Sequence, residues 1–170
     1  ITHKNGAVLI FDEMVTGTNM SLGGAQEYFK VIPDMATFGK GIANGMPLAA
    51  LVGKTEFMQE LEDTPDRLAI FFSTTFGGEC LSLAACRATL TEARKRDTIN
   101  HCWQLGKRLK EGLRSLGLET MGYDSRPMIV LPDDSVYFKS LFLQETGKRG
   151  ILLHGGMLVN MSYSHSKEDI

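Results

Sequence analysis

The feature that most constrains this chain is the uninterrupted apolar run Ala7-Val8-Leu9-Ile10-Phe11, entered from Asn5-Gly6 and stopped by Asp12-Glu13. Five residues are too few for an ordinary helix, and the run lacks the alternation of a half-covered strand. It predicts a strand buried on both faces, the situation of parallel sheets whose crossover helices cover both sides. The fold class expected is therefore α/β. Asp12 falls at the carboxyl end of that strand, where ligands gather in open α/β sheets.

Downstream, residues 16–24 read as a polar, Gly-rich loop and 25–29 as a short amphipathic piece. A second strand over 35–38 delivers Lys40 between Gly39 and Gly41, and small residues over 49–52 form a third. Glycines on both sides of a lysine imply close approach of backbone to something. After a charged stretch at 60–67, Ser73-Thr74-Thr75-Phe76-Gly77-Gly78 opens a helix from about 79 to 95. Asp97 is placed to cap the next helix, in which Ile99, Cys102, Leu105, Leu109, Leu113 and Leu116 recur every three or four residues before Gly117. A strand over 128–131, a helix over 136–148 and strands over 151–153 and 158–162 complete a small α+β region. The division expected is 1–97 as part of a larger α/β domain and 98–170 as a connecting helix with a small domain.

Composition excludes some partners. A net charge of -2, from 18 basic and 20 acidic residues intermixed along the chain, gives no reason to expect nucleic acid or an anionic membrane. Cys80, Cys86 and Cys102 have neither C-x-x-C spacing nor an even count, so no disulfide framework or metal site is expected and a reducing cytoplasm fits best. His3, His101, His154 and His165 show no metal-ligand spacing and are expected to be structural or superficial. No apolar run approaches a membrane span, and no signal arrangement opens the chain. Both ends read as interior to something longer. A polar hexapeptide leads straight into the first strand, and Ser166-Lys167-Glu168-Asp169 has the pattern of a helix N-cap just before the last residue.

Four residues could carry chemistry or bind a ligand. A lone lysine is usually solvated, but the glycine-rich, apolar setting of Lys40 predicts a buried amine, its pKa lowered and its nucleophilicity kept. Asp12 could cap the strand end, or hold magnesium as the acid of a Walker B strand, although no G-x-x-x-x-G-K-[ST] loop occurs here. Thr75 suits helix capping and phosphate binding equally. Arg126 could meet a substrate carboxylate, though a salt bridge or surface position is the simpler reading.

The segments Leu9-Ile10-Phe11-Asp12-Glu13-Met14-Val15-Thr16-Gly17, Gly24-Ala25-Gln26 and Pro33-Asp34-Met35-Ala36-Thr37-Phe38-Gly39-Lys40-Gly41-Ile42-Ala43-Asn44-Gly45-Met46-Pro47 closely resemble class III aminotransferases of pyridoxal-5′-phosphate (PLP) fold type I. Within that class the sequence looks most like the branch containing glutamate-1-semialdehyde 2,1-aminomutase. The resemblance implies that Lys40 is the Schiff-base lysine and serves again as base for a 1,3-proton shift. It implies that Asp12 pairs with the pyridinium nitrogen, and that Met14 packs on the ring face where the family usually has valine. Thr75 would bind the cofactor phosphate of the neighbouring subunit, which implies a homodimer with a shared active site. Glu79-Cys80 departs from the family's usual Asn-Pro, and Glu79 is expected to face solvent. The activity implied is transfer of an amino group between small molecules, or its shift within one. The family's first half, which supplies the main phosphate cup, has no counterpart in these segments, so a folded scaffold without turnover is the competing expectation.

Overall fold

In the first unit, a three-stranded sheet is built from β1 (Ile10–Asp12), β2 (Met35–Phe38) and β3 (Ala50–Gly53), in the order β1-β2-β3. β1 runs parallel to β2, with Asp12 opposite Thr37, and β3 runs antiparallel to β2. This structure, a computed structural model, describes residues 1–59 and 74–170. It divides into two compact units, Ile1–Arg96 and Asp97–Ile170. The charged stretch 60–67 and Ser73 lie outside the described residues.

The first strand corrects the expectation of burial on both faces. It is three residues long and lies at the sheet's margin, and Val8 and Ile10 are 43% and 54% exposed. Among the described residues only β2 pairs with it, and along it Ile10 and Asp12 are exposed while Phe11, on the opposite face, is half-buried. The core lies instead along β2 and the turn after it, where Ala36, Ile42 and Ala43 are buried. Around the sheet sit 3-10 turns at Thr16–Thr18 and Lys40–Ala43, and helices α1 (Gly24–Phe29), α2 (Thr55–Met58) and α3 (Cys80–Lys95). α3 packs against the Lys40–Ala43 turn, and Arg94 and Lys95 in its last turn complement its negative end.

Asp34 locks the other end of the sheet. Its buried carboxylate accepts hydrogen bonds from the Leu9 amide (2.8 Å), Lys54 Nζ (2.6 Å) and His3 Nε2 (2.9 Å), joining the approaches to β1 and β2 and the exit from β3. The Leu9 amide and Lys54, with a smaller contribution from His3, hold this carboxyl well below the usual carboxylate range. A carboxyl whose pKa is depressed on folding stabilises the fold above its unfolded value, about 3.9 for aspartate, and that stabilisation disappears as pH falls through the folded value. Melting temperature measured from pH 7 downward is therefore expected to fall steeply on the acid side in the parent chain. In Asp34→Asn it is expected to start lower and to fall less below about pH 4.

The second unit comprises α4 (Thr98–Ser115), the antiparallel pair β4 (Glu119–Met121) and β5 (Met128–Val130), and α5 (Val136–Lys148). α4 stops where Gly117 takes a left-handed φ of 81°, and Ser135 Oγ caps α5 by accepting the Phe138 amide. Ile129, Leu131 and Met157 form its buried cluster, with Phe138, Phe142 and Leu143 packed against it.

Three expectations change here. Asp97 stands at the N-cap position of α4, but its backbone is left-handed (φ 50°) and its side chain makes no cap bond; it accepts from Asn100 Nδ2 instead. Residues 151–153 form no strand, because the Ile151 amide is committed to the Thr146 carbonyl at the end of α5. Residues 158–162 contribute one bridge, Met128 to Leu158, since the turn closed by the Met157 amide on the His154 carbonyl brings only a short stretch alongside β5. At the chain's end Ser166 and Asp169 exchange hydrogen bonds in the reciprocal pattern of a capping box. No helix among the described residues is long and apolar enough to cross a membrane.

Candidate active site

The parallel pairing of β1 and β2 brings their carboxyl ends together. β1 ends at Asp12, and the ladder continues one step as the Glu13 amide donates to the Thr37 carbonyl (2.9 Å). β2 ends at Phe38; Gly39 is extended, and Lys40 then takes a left-handed φ of 48° as it opens the 3-10 turn. Asp12 and Lys40 thus share one end of the sheet, the position at which open α/β sheets bind ligands. Met14 joins them. A Cβ on Gly39 would stand 2.6 Å from Met14 Cε and 2.9 Å from Sδ, so the thioether lies against the residue preceding the lysine.

Asp12 Oδ1 accepts the Met14 amide at 2.9 Å. Among the described residues Oδ2 has no hydrogen-bond partner, so an oriented acceptor is left for a ligand. Lys40 is not the buried amine that the sequence suggested: the left-handed turn directs the inward packing to Ile42 and Ala43, and Lys40 itself is exposed.

Thr75 is exposed in the turn before α3. With Pro47, Leu48, Ala49, Phe76 and Gly78 it lines a cleft of about 790 Å³. Leu48, one of its lining residues, has its carbonyl 3.4 Å from where a Cβ on Gly39 would stand, so the cleft lies near the residue that precedes the lysine.

Glu79 departs from its expected place in solvent. It is partly buried, and its carboxylate turns back to accept the amides of Leu81 (2.8 Å) and Ser82 (2.6 Å), capping α3. Hydrogen bonding by Ser82, followed by the Leu81 amide, holds this carboxyl below the usual carboxylate range. Two amides that could have met an anion at the start of α3 are therefore already engaged, and Thr75 is left to offer its hydroxyl.

In the second unit Arg126 makes no salt bridge among the described residues; its Nε donates to Asn160 Oδ1 at 2.9 Å. His101 Nε2 meets the His165 carbonyl and its ring lies against Tyr163. No group of three His, Cys, Asp or Glu among the described residues could hold a metal ion.

Sequence reasoning passed over Glu13. It is 1% exposed, and its carboxylate accepts the amides of Ala25 (2.8 Å) and Gln26 (2.9 Å) and the Thr16 hydroxyl. Gly24 is required beside it, for a Cβ there would fall 2.6 Å from Glu13 Oε2 on a backbone of φ 81°. The pairing of Asp-Glu with Gly-Ala-Gln was the available signal.

Residues 1–123 match the family described as Aminotransferase class-III. A glutamate-1-semialdehyde 2,1-aminomutase of Halobacterium salinarum is 39% identical over 141 residues, which span 79% of this chain and 31% of the relative. One from Methanosphaera stadtmanae is 31% identical over 189 residues, spanning 100% of this chain and 44% of the relative. The crystal structure of an omega-transaminase from Sphaerobacter thermophilus superposes with a TM-score of 0.83 at 24% identity, over 97% of this chain and 42% of that one. The chain thus spans less than half the length of these relatives. The Walker B reading of Asp12 falls away with the match, since the segment concerned lies inside it. The fold is that of the PLP fold type I transaminases, and the chain belongs to the class III aminotransferase family.

Proposed function

We propose that this chain carries the PLP-anchoring part of an enzyme that moves an amino group, between two small molecules or within one. The observation that carries the reading is the meeting of Asp12, Met14 and Lys40 at the carboxyl ends of two adjacent parallel strands, with Lys40 held at φ 48°. The donor set fits the group: an amine for its aldehyde, a carboxylate oxygen for its ring nitrogen and an apolar thioether for its flat face, with the Thr75 hydroxyl offered to the phosphate of a second copy's cofactor. PLP, when bound, supplies an electron sink that acidifies the carbon bearing the substrate's amino group.

The chain's own residues do the rest. Asp12 Oδ1 is held by the Met14 amide, which would leave Oδ2 to accept a hydrogen bond from a protonated ring nitrogen and keep the ring cationic. Lys40 would hold the group through its amine, and that same Nζ would serve as the base that takes a proton from the substrate's carbon and gives it back one position further along. Thr75 presents its hydroxyl to the phosphate held by a second copy, so the working form is a homodimer with shared sites. Ile1–Arg96 serves as part of the PLP-binding large domain, and Asp97–Ile170 as the connecting helix and small domain. The cytoplasm is the compartment that suits three free thiols. The names of the relatives favour an intramolecular shift over transfer between molecules.

The test is to add PLP to the purified chain, record the visible spectrum, reduce with borohydride and map the label by mass spectrometry. A visible band that reduction converts into one label on Lys40 is the expected result. Label spread over surface lysines according to their accessibility would overturn the assignment of Lys40. The exposure of Asp12, Lys40 and Thr75 supports a second reading, a scaffold without turnover on its own; PLP fixation with no amino transfer to a keto acid is its signature.

A further inference from the structure

We propose that Glu13 is a positioning residue, whose buried carboxylate sets the orientation of Asp12 and Met14; the inference rests on the functional reading above for what Asp12 is oriented toward. A carboxylate that is 1% exposed must have its oxygens satisfied. Glu13 takes three donors, two from the first residues of α1 and one from Thr16. Among the described residues no lysine, arginine or histidine pairs with it. Its main chain is equally committed, the amide to the Thr37 carbonyl and the carbonyl to the Gly17 amide, both at 2.9 Å. Glu13 is therefore the point at which the end of β1, the end of β2, the 3-10 turn and α1 are joined.

Its neighbours have no such support. Asp12 is exposed on a marginal strand, and its one hydrogen bond among the described residues, Oδ1 to the Met14 amide, spans Glu13. Whatever fixes the backbone of Glu13 fixes the geometry of that bond. It also fixes the side on which Met14 meets Gly39. Packing cannot do so for an exposed aspartate; the anchored glutamate can.

The Met14 amide proton gives a cofactor-free readout. In the parent chain its NMR shift is expected to follow the protonation of Asp12 through the 2.9 Å bond, and Asp12→Asn should abolish that dependence. In Glu13→Gln one oxygen becomes an NH2 facing an amide N–H, so one of the three bonds is lost. Exchange of the Ala25 and Gln26 amides should accelerate on the order of tenfold, the scale of one hydrogen bond, and the pH-dependent shift of the Met14 amide should lose most of its amplitude. Gly24→Ala, whose Cβ would displace the carboxylate, should do the same with Glu13 intact. Thr16→Val, which removes a single donor, replaces either variant that fails to fold.

Faster exchange at Ala25 and Gln26 with a full-amplitude titration at Met14 would make Glu13 merely structural and overturn the proposal. PLP fixation on Lys40, measured on the same proteins, separates the two questions. Its failure in the parent chain would count against the functional reading while the Met14 titration still decides the role of Glu13.

Discussion

Replacing Lys40 with glycine is expected to abolish PLP fixation and, in the same protein, to raise the melting temperature. Lys40 has φ 48°, a left-handed conformation that costs a residue with a Cβ roughly 1–2 kcal/mol and glycine almost nothing. Its side chain is exposed and makes no hydrogen bond among the described residues, so removing it forfeits no packing of consequence. Glycine loses more entropy on folding, which offsets part of the relief, and a net gain of about 0.5–1 kcal/mol remains. A lysine kept where the backbone favours glycine is a strained residue at the carboxyl end of a parallel strand, the kind of outlier from which function is fairly inferred. Lys40→Ala is the matched control, with the amine lost and the strain retained. Both variants should show no reducible label, and only the glycine variant should melt higher than the parent. A Lys40→Gly protein that melts lower would show that the side chain has packing partners, and a surviving label would move the anchoring amine elsewhere.

How much of this was legible beforehand depended on whether the information was local. The strand at Met35–Phe38 lies between Pro33-Asp34 and Gly39, and the helix at Val136–Lys148 starts just after a capping serine; such punctuation acts within a few residues and is readable in one dimension. The end of β1 at Asp12 was readable for the same reason. Burial was not. The run at 7–11 has the composition of a central strand, but burial is decided by what packs over a strand's faces, and among the described residues that cover leaves Val8 and Ile10 43% and 54% exposed. Lys40 and Glu13 show the same limit with opposite outcomes. A lysine among glycines looked buried and is exposed, whereas a glutamate following an aspartate drew no reading and is enclosed, because the start of α1, twelve residues on, supplies its donors. β4 went unread because Glu119-Thr120-Met121 has no pattern of its own and becomes a strand only through its register with β5.

In the second unit Gly106 of α4 lies close against the loop that follows β4, and Gly106→Ala is expected to destabilise the protein by about 3 kcal/mol or more. Helix propensity alone argues the reverse, since alanine is favoured over glycine in a helix interior by about 1 kcal/mol. Contact decides it. A Cβ on Gly106 would stand 1.6 Å from the Asp124 carbonyl oxygen and 2.6 Å from its carbon, distances that only a backbone shift can relieve. The loop has little room to withdraw. Lys110, one turn further along α4, donates to the Gly122 carbonyl (2.9 Å) and pairs with the Asp124 carboxylate (2.8 Å), while Ser125 is fully buried. Gly112 provides the comparison within the same helix, because it is exposed and nothing lies within 4 Å of its Cβ position. Gly112→Ala should therefore stabilise by up to about 1 kcal/mol, so the two variants should differ by about 4 kcal/mol in urea unfolding, a large share of the ~5–15 kcal/mol that holds a typical domain together. Equal midpoints for the two would mean that α4 does not approach the loop this closely, and that Gly106 is there for some reason other than the fit of the helix against the Asp124 carbonyl.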